Sequence, residues 1–494
     1  MTVSFRGRAT STIAACVIAL SLIAPNGAGA FTLGGSLKSF EEERQIAVSQ
    51  HAQIVAQFGG EYDDPELAAY VDRVGQRVVA NSDMAGLPFR FTVLNSPIVN
   101  AFTVGGGHVY VTRGILAAMN TEAELAALLG HEVAHVTERH SARRESQMKK
   151  DRAASIGVAL LSRSLSAALL TDMLSNVTRS AYSRGQEADS DRIGLRDMTK
   201  AGYDPYGMPE MLRVLEREVA LAEQLSGEGS GLGIPAWLQD HPQTGDRIRD
   251  TLAQAERTGL APGAREVGRD AHLDVIDGIL FGSDPADGVV RDGRFVHTDL
   301  GFAFDVPKGY QLINQLGLVI GVRDAGSFFV FAGAEWPGDR SLEEFALSAW
   351  YSVTDGGAGG LDRVTETEIN GLEAIVATKR FQKFGLTANL ASVSFRTSPT
   401  EVYGFSFVVA GDLTQSLIDE FRGIAEGFTL LSDDEIASIR PYRVRVVTAG
   451  SLDTLENLAE RSAFSDYALD RLKSLNGTEG DVSVGDRLKI IVEE

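Results

Sequence analysis

Cysteine occurs once in the 494 residues, at position 16. If that residue leaves with a leader, the mature chain has neither a disulfide nor a thiol for catalysis. Basic charge is in deficit: 46 Lys and Arg stand against 67 Asp and Glu, a net charge of −21 at pH 7. Such an acidic surface argues against nucleic acid and anionic membrane surfaces as partners. Long apolar runs are also missing beyond the N-terminus. The most apolar stretch, 153–174, is interrupted by Arg163 and Asp172, so no transmembrane span is expected in the mature chain. No internal repeat or low-complexity tract is present. Histidine is scarce, with eight in all, which makes any grouping of them informative. What remains is ordinary for a globular protein, 44% apolar and 23% charged, and the length predicts two to four domains.

The N-terminus reads as a targeting segment. Arg6 and Arg8 give a positive start, Ile13 to Ala24 an apolar core, and Ala28-Gly29-Ala30 a small-x-small cleavage site before Phe31. Residues 1–30 are therefore expected to be a signal peptide. An uncleaved anchor would need roughly 20 apolar residues. A lipid-attachment reading of Ile13-Ala14-Ala15-Cys16 conflicts with an apolar run that lies mostly after Cys16. A cysteine-free exported chain fits a Gram-negative periplasm, with peripheral association to the outer membrane or cell wall.

Two of the eight histidines fall four apart in His131-Glu132-Val133-Ala134-His135. On a helix, positions i and i+4 lie one above the other, so both imidazoles can grip one Zn²⁺ from the same side. Glu132 then projects to one edge, where it can hold and deprotonate a water. A bare HExxH turns up by chance in on the order of one chain in a hundred of this length, so its surroundings decide. Thr121 with Glu124 predicts a capping box, and Leu125, Ala126, Leu128 and Leu129 continue a helix from about Glu122 to Arg139. Gly130 weakens that helix, which a close approach by another backbone would explain. The alternative is an amphipathic helix carrying two surface histidines.

Two histidines leave one protein ligand to find. His140 follows His135 by five and is expected to point away from the metal face. Downstream, Glu187 and Asp191 are again i and i+4 on an expected helix within Ser183 to Gly194. One carboxylate can complete a His₂Glu set, and the other can accept a ring N–H from a ligating histidine. The alternative is an acidic helix start.

At this point the chain resembles the zinc endopeptidases related to the CAAX prenyl proteases, the HtpX heat-shock protease and periplasmic BepA, of the HExxH gluzincin type. The resemblance runs from about Glu41 to Arg249 on four motifs in the family's order: Asn100-Ala101-Phe102 with Gly105 to Leu116, Glu124 to Val136, Glu187 to Gly194, and His241-Pro242 with Arg247-Ile248. It implies one Zn²⁺ per chain held by His131, His135 and Glu187, with Glu132 as general base and Asp191 behind a ligating histidine. It implies that Asn100, Ala101, Phe102 and Thr103 form an edge strand that pairs with extended substrate. Thr103-Val104-Gly105 stands where the family often has Ala-Leu-Pro, which leaves the strand expectation but not the turn geometry. His241 and Arg247 match residues facing the metal in relatives. There the histidine either stabilises the tetrahedral oxyanion or caps the zinc in a latent form; the alternative is a His-Pro turn with a helix-starting arginine.

Further on, 153–174 is expected to form a helical hairpin beside the cleft, and Ser226 to Gly231 a flexible loop. From Val289 to about Leu430 strand patterns predominate, at Gly301 to Val306, Phe328 to Phe331 and Tyr403 to Phe407, with helical patterns at Leu342 to Trp350 and Leu413 to Phe428. From Tyr442 the chain resembles a degenerate LysM module in the order β-α-α-β, which implies either peptidoglycan binding or packing on its neighbour. The expected fold class is α+β and multidomain. It comprises a signal peptide (1–30), a mainly helical zincin-like metallopeptidase domain with a small edge-strand sheet (31–262), an α+β antiparallel-sheet domain (263–438) and a LysM-like domain (439–494). The expected function is a zinc endopeptidase acting on misfolded or misassembled envelope proteins. The alternative is a chaperone or adaptor for outer-membrane or cell-wall assembly.

Overall fold

The computed structural model describes residues 39–140, 182–226, 241, 245–291, 293–315, 317–324, 327–354, 359–383, 386–478 and 480–494. The expected leader, the 153–174 hairpin and residues 227–231 of the expected loop lie outside them. The described residues form two compact units. The larger takes those within Ser36–Lys150, Thr178–Asp284 and Arg440–Glu494, and the smaller those within Pro285–Ile439. Both are mixtures of helix and sheet, in keeping with an α+β class.

The larger unit begins with α1 (Phe40–Gln57) and α2 (Pro65–Val79). Asp64 caps α2 by accepting from the amides of Glu66 and Leu67, and Pro65 occupies its first turn. Three short strands follow, β1 (Arg90–Leu94), β2 (Ala101–Thr103) and β3 (His108–Thr112). They form a sheet in the order β1-β3-β2, β1 parallel and β2 antiparallel to β3, which leaves β2 at an edge. The chain continues through α3 (Arg113–Ala118), α4 (Glu122–Thr137), α5 (Arg184–Lys200), α6 (Gly207–Ser226), α7 (Gly245–Arg257), α8 (Arg269–Ile276) and β4 (Leu280–Phe281).

Helix α4 lies at the centre. Every residue from Glu122 to Val136 is buried, so it has no solvent face and its apolar pattern is broad rather than striped. Its start differs from the expected capping box in one half. The Thr121 hydroxyl accepts from the Glu124 amide, but the Glu124 carboxylate accepts from the amide of Asn120 (2.7 Å) instead of Thr121. Helix α5 does carry a reciprocal box between Ser183 and Gln186. The two helices cross at Gly130 and Gly194. A Cβ on Gly194 would sit 2.8 Å from both the Gly130 carbonyl carbon and the His131 nitrogen, so this crossing requires glycine.

The smaller unit contains β5 (Val289–Arg291), β6 (Arg294–His297), β7 (Phe302–Asp305), β8 (Gln311–Gln315), β9 (Leu318–Asp324), β10 (Ser327–Glu335), α9 (Leu342–Thr354), β11 (Arg363–Ile369), β12 (Leu372–Lys383), β13 (Leu386–Ser398), β14 (Glu401–Ala410), α10 (Gln415–Glu426), β15 (Thr429–Leu430) and α11 (Asp433–Ser438). An antiparallel sheet runs β11-β12-β13-β14-β10-β9-β8, and a second runs β15-β7-β6-β5. Phe302, Phe304, Phe329, Phe331, Phe405 and Phe407 form its aromatic core with Phe421 and Ile424 of α10.

The C-terminal segment belongs to the larger unit. It comprises β16 (Tyr442–Thr448), α12 (Leu455–Glu460), α13 (Ala468–Asn476) and β17 (Arg487–Glu493). β16 pairs on one side with β17 and on the other with β4, Tyr442 opposite Phe281 and Arg443 opposite Leu280. Val444, Leu475 and Ile491 share one core with Leu116, Met119 and Leu125.

Candidate metal centre

The site is assembled from the buried ends of α4 and α5, with His241 and the start of α7. His131, Glu132 and His135 on α4, Glu187 on α5, and His241 are all fully buried. Helical spacing stacks His131 over His135 with their Nε2 atoms 3.0 Å apart. Glu187 reaches across from α5, Oε2 to His131 Nε2 at 3.5 Å and Oε1 to His135 Nε2 at 3.4 Å. The Nδ1 of His241 lies 3.2 Å from His131 Nε2 and 3.1 Å from Glu187 Oε1.

These distances decide what the cluster can hold. Four ligands about 2.0–2.1 Å from one tetrahedral zinc stand about 3.3 Å from each other. The donor atoms of His131, His135, Glu187 and His241 all lie within 4.8 Å of one another, and the separations given above, 3.0 to 3.5 Å, are close to that spacing. Charge gives the same answer. Glu132, Glu187 and Asp191 are buried carboxyls grouped around the Arg247 guanidinium, a set whose charge a divalent cation would complement. The residues present therefore fit a zinc ion.

The surroundings hold these donors in ligating form. Burial pushes His135 well below the ordinary histidine range, keeping it neutral as metal binding requires. Burial opposes ionisation of Glu187, but His241 and His131 beside it, with hydrogen bonds from His135 and His241, outweigh it and hold the carboxyl well below its usual range. Asp191 shows the same contest: burial raises it, and Arg247 with His131 lowers it further. Asp191 Oδ1 accepts from His131 Nδ1 at 2.9 Å, which directs the Nε2 lone pair toward the cluster. Arg247 donates from Nε and Nη2 to the two oxygens of Asp191, both at 2.7 Å, and pairs through Nη1 with Glu187 Oε2 at 2.8 Å. His241 Nε2 stands 3.6 Å from Glu132 Oε1.

All seven residues expected at the metal thus come together, and the reading of His131 and His135 as surface residues falls. Asn100 to Thr103 lie along the sheet edge, with Asn100 one residue before β2 and its amide donating to Thr112 Oγ1 (3.1 Å). The Thr103 hydroxyl donates to the His108 carbonyl and accepts from the Gly105 amide, closing the turn after β2.

Two participants were not foreseen. His140 does not point away. Helix α4 stops at Thr137 and Arg139 takes a left-handed φ of 55°. That bend folds His140 back until its Nδ1 lies 3.0 Å from His135 Nδ1. Tyr182 stacks on His135 with ring centroids 4.0 Å apart. The bend begins at an arginine, which carries no turn signal, so only the His135–His140 proximity in sequence hinted at the contact.

Comparison with known proteins agrees with this geometry. Residues 65–255 match Peptidase family M48. Over 276 residues the chain is 29% identical to a beta-barrel assembly-enhancing protease of Yersinia pestis, covering 51% of this chain and 55% of that one. It is 27% identical over 238 residues to the corresponding protease of Escherichia coli strain K12, 46% of either chain. It is 32% identical over 217 residues to the mitochondrial metalloendopeptidase OMA1 of Schizosaccharomyces pombe, 43% of this chain and 60% of that one. The chain spans about half the length of these relatives. Among the described residues no helix is long and apolar enough to cross a membrane. With its HExxH helix, its carboxylate helix and their buried donor cluster, the chain carries across residues 65–255 a domain of the zinc metalloprotease family M48.

Proposed function

We propose that this chain is an exported zinc endopeptidase that hydrolyses peptide bonds of misfolded or misassembled cell-envelope proteins. The observation that carries the reading is the close grouping of four buried donors, all within 4.8 Å of one another, beside Glu132. His131, His135 and Glu187 are the ligands in this reading. Bound zinc supplies a Lewis acid and lowers the pKa of a water to near 7. Glu132, one residue past the first ligand, takes the proton of the attacking water and delivers it to the leaving amine. Asp191 fixes the tautomer of His131, and Arg247 fixes Asp191. The edge of β2 that pairs with no other strand among the described residues, with Asn100 to Thr103, suits backbone pairing with an unfolded segment whatever its sequence.

Substrate class and location rest on the leader-like N-terminus and on the names of relatives as beta-barrel assembly-enhancing proteases. In this reading residues 31–262 are the peptidase domain, 263–438 an accessory α+β domain and 439–494 a LysM-like domain, although 263–284 and 440–494 fall in the larger unit with the peptidase helices. The β-α-α-β order of β16, α12, α13 and β17 supports the last assignment, with peptidoglycan as the ligand it implies. Casein cleavage by the zinc-loaded chain, blocked by a chelator and absent in Glu132→Gln, is the expected result. Cleavage at wild-type rate by Glu132→Gln overturns it.

The position of His241 favours a second, compatible element. Its Nδ1 sits where a fourth ligand would, which supports a latent form capped by His241 over direct oxyanion stabilisation. A protein held mostly in that form would serve as an assembly adaptor with secondary hydrolysis. His241→Ala is expected to raise casein turnover if the residue caps and to lower it if it stabilises the oxyanion.

A further inference from the structure

The side chain of Lys489, on β17, is completely buried. Its Nζ donates to the carbonyls of Ala117 (2.7 Å), Ala118 (3.1 Å) and Met119 (2.8 Å). These are the last carbonyls of α3 and of the turn that follows, groups that a helix end leaves without intrahelical partners and with partial negative charge. Two residues later Thr121 caps α4, the helix that carries His131, Glu132 and His135.

We propose that Lys489 is a positioning residue for the metal-binding helix: by gathering the carbonyls of Ala117, Ala118 and Met119 it fixes the turn from which α4 starts. The strand that presents it is itself fixed, because the Lys489 amide donates to Asn476 Oδ1 (2.7 Å) and its carbonyl accepts from Asn476 Nδ2 (2.8 Å). On the other side, Asn120 donates its amide to Glu124, so the turn is held from both ends. A rigid helix carries any displacement of its start along its length, about 14 Å to His131. Misplacing reacting groups by about 1 Å costs on the order of a hundredfold in rate.

Charged groups around this ammonium come from α4, α6 and α8. Glu124 on α4 and Glu218 on α6 favour it, whereas Arg217 on α6 and Arg269 on α8 oppose it. His272 on α8 feels its charge and contacts the carbonyls of Leu116 and Met119. Glu218 also accepts from the Ser474 hydroxyl of α13 at 3.1 Å. The C-terminal segment thereby acts on the hydrolytic site without touching it, whatever else it binds.

The inference rests on the peptidase reading for its kinetic arm alone. Labelled casein cleavage by zinc-loaded full chains gives kcat and KM, and the visible spectrum of Co²⁺-loaded chains reports ligand geometry without turnover. Lys489→Met is expected to lower kcat at least tenfold, leave KM within twofold and shift the cobalt bands. Glu218→Gln is expected to do the same more weakly. Leu458→Ala, a cavity in the segment's own small core, is expected to leave all three unchanged in folded protein. A folded Lys489→Met with wild-type kcat and cobalt spectrum overturns the inference, as does an equal effect from Leu458→Ala. If Lys489→Met does not fold, unchanged kcat and spectrum in Glu218→Gln overturn it. A wild-type chain that cleaves nothing defeats the peptidase reading instead, and the cobalt spectrum still decides the role of Lys489.

Discussion

Asp191 and Arg247 illustrate how far single residues could be read. Spacing in the sequence pointed to an acid behind a ligating histidine, and Asp191 lies 2.9 Å from His131. Spacing could not show that Arg247 would grip both Asp191 and Glu187, because that depends on how α7 packs. Arg247→Met would strand two buried carboxylates. It is expected to destabilise the metal-free protein by about 3–5 kcal/mol and to weaken zinc binding about 10- to 100-fold. Urea unfolding and chelator competition check the two effects, and wild-type values in both would contradict the role. His272 makes a pH prediction. Burial first, and then the charge of Lys489, push it down to about 3 from an ordinary 6.5. The unfolded chain therefore takes up a proton from about pH 6.5 downward while the folded one does not. Stability is lost as pH falls through that window, with a slope approaching about 1.4 kcal/mol per pH unit. In His272→Asn, urea stability between pH 6.5 and 5 is expected to fall less steeply than in wild type; parallel curves would contradict the assignment.

Among the elements, α4 and α5 were legible because capping residues, apolar spacing and paired ligands all fell in one register. Gly130 even signalled the close approach, although its partner Gly194 went unread. Gly194→Ala would drive a methyl group against the backbone of the metal helix at 2.8 Å. It is expected to cost about 1–3 kcal/mol and to weaken zinc binding, measured by thermal unfolding with and without zinc. Unchanged affinity would show that the crossing does not set the donor positions. Strand β13 was missed for a physical reason. From Ala388 to Phe395 every residue of β13 is buried, so both faces are covered and polar as well as apolar side chains are enclosed. Ser392 and Ser394 are buried there too, although serine is mostly an exposed residue type. His140 was misread because an expected helix to Arg139 ended two residues early, and the left-handed Arg139 reversed its direction.

For the whole molecule, sequence order was a poor guide to what packs with what. The last strands of the chain close a sheet begun by β4 and share a core with α3 and α4. Neither connection leaves a local signal, since each joins residues more than 150 positions apart. Deleting 440–494 is therefore expected to expose Leu116, Met119 and Leu125 and to yield insoluble peptidase rather than a smaller active one. Soluble, cooperatively unfolding protein from that deletion would contradict this. In the proposed site His131, His135 and Glu187 hold a single zinc while Glu132 serves only the chemistry. Zinc content after dialysis, measured side by side for wild type, Glu132→Gln and Glu187→Ala, tests it most directly. One ion per chain is expected in the first two and far less in the third. A full complement in Glu187→Ala, or its loss in Glu132→Gln, would contradict the account.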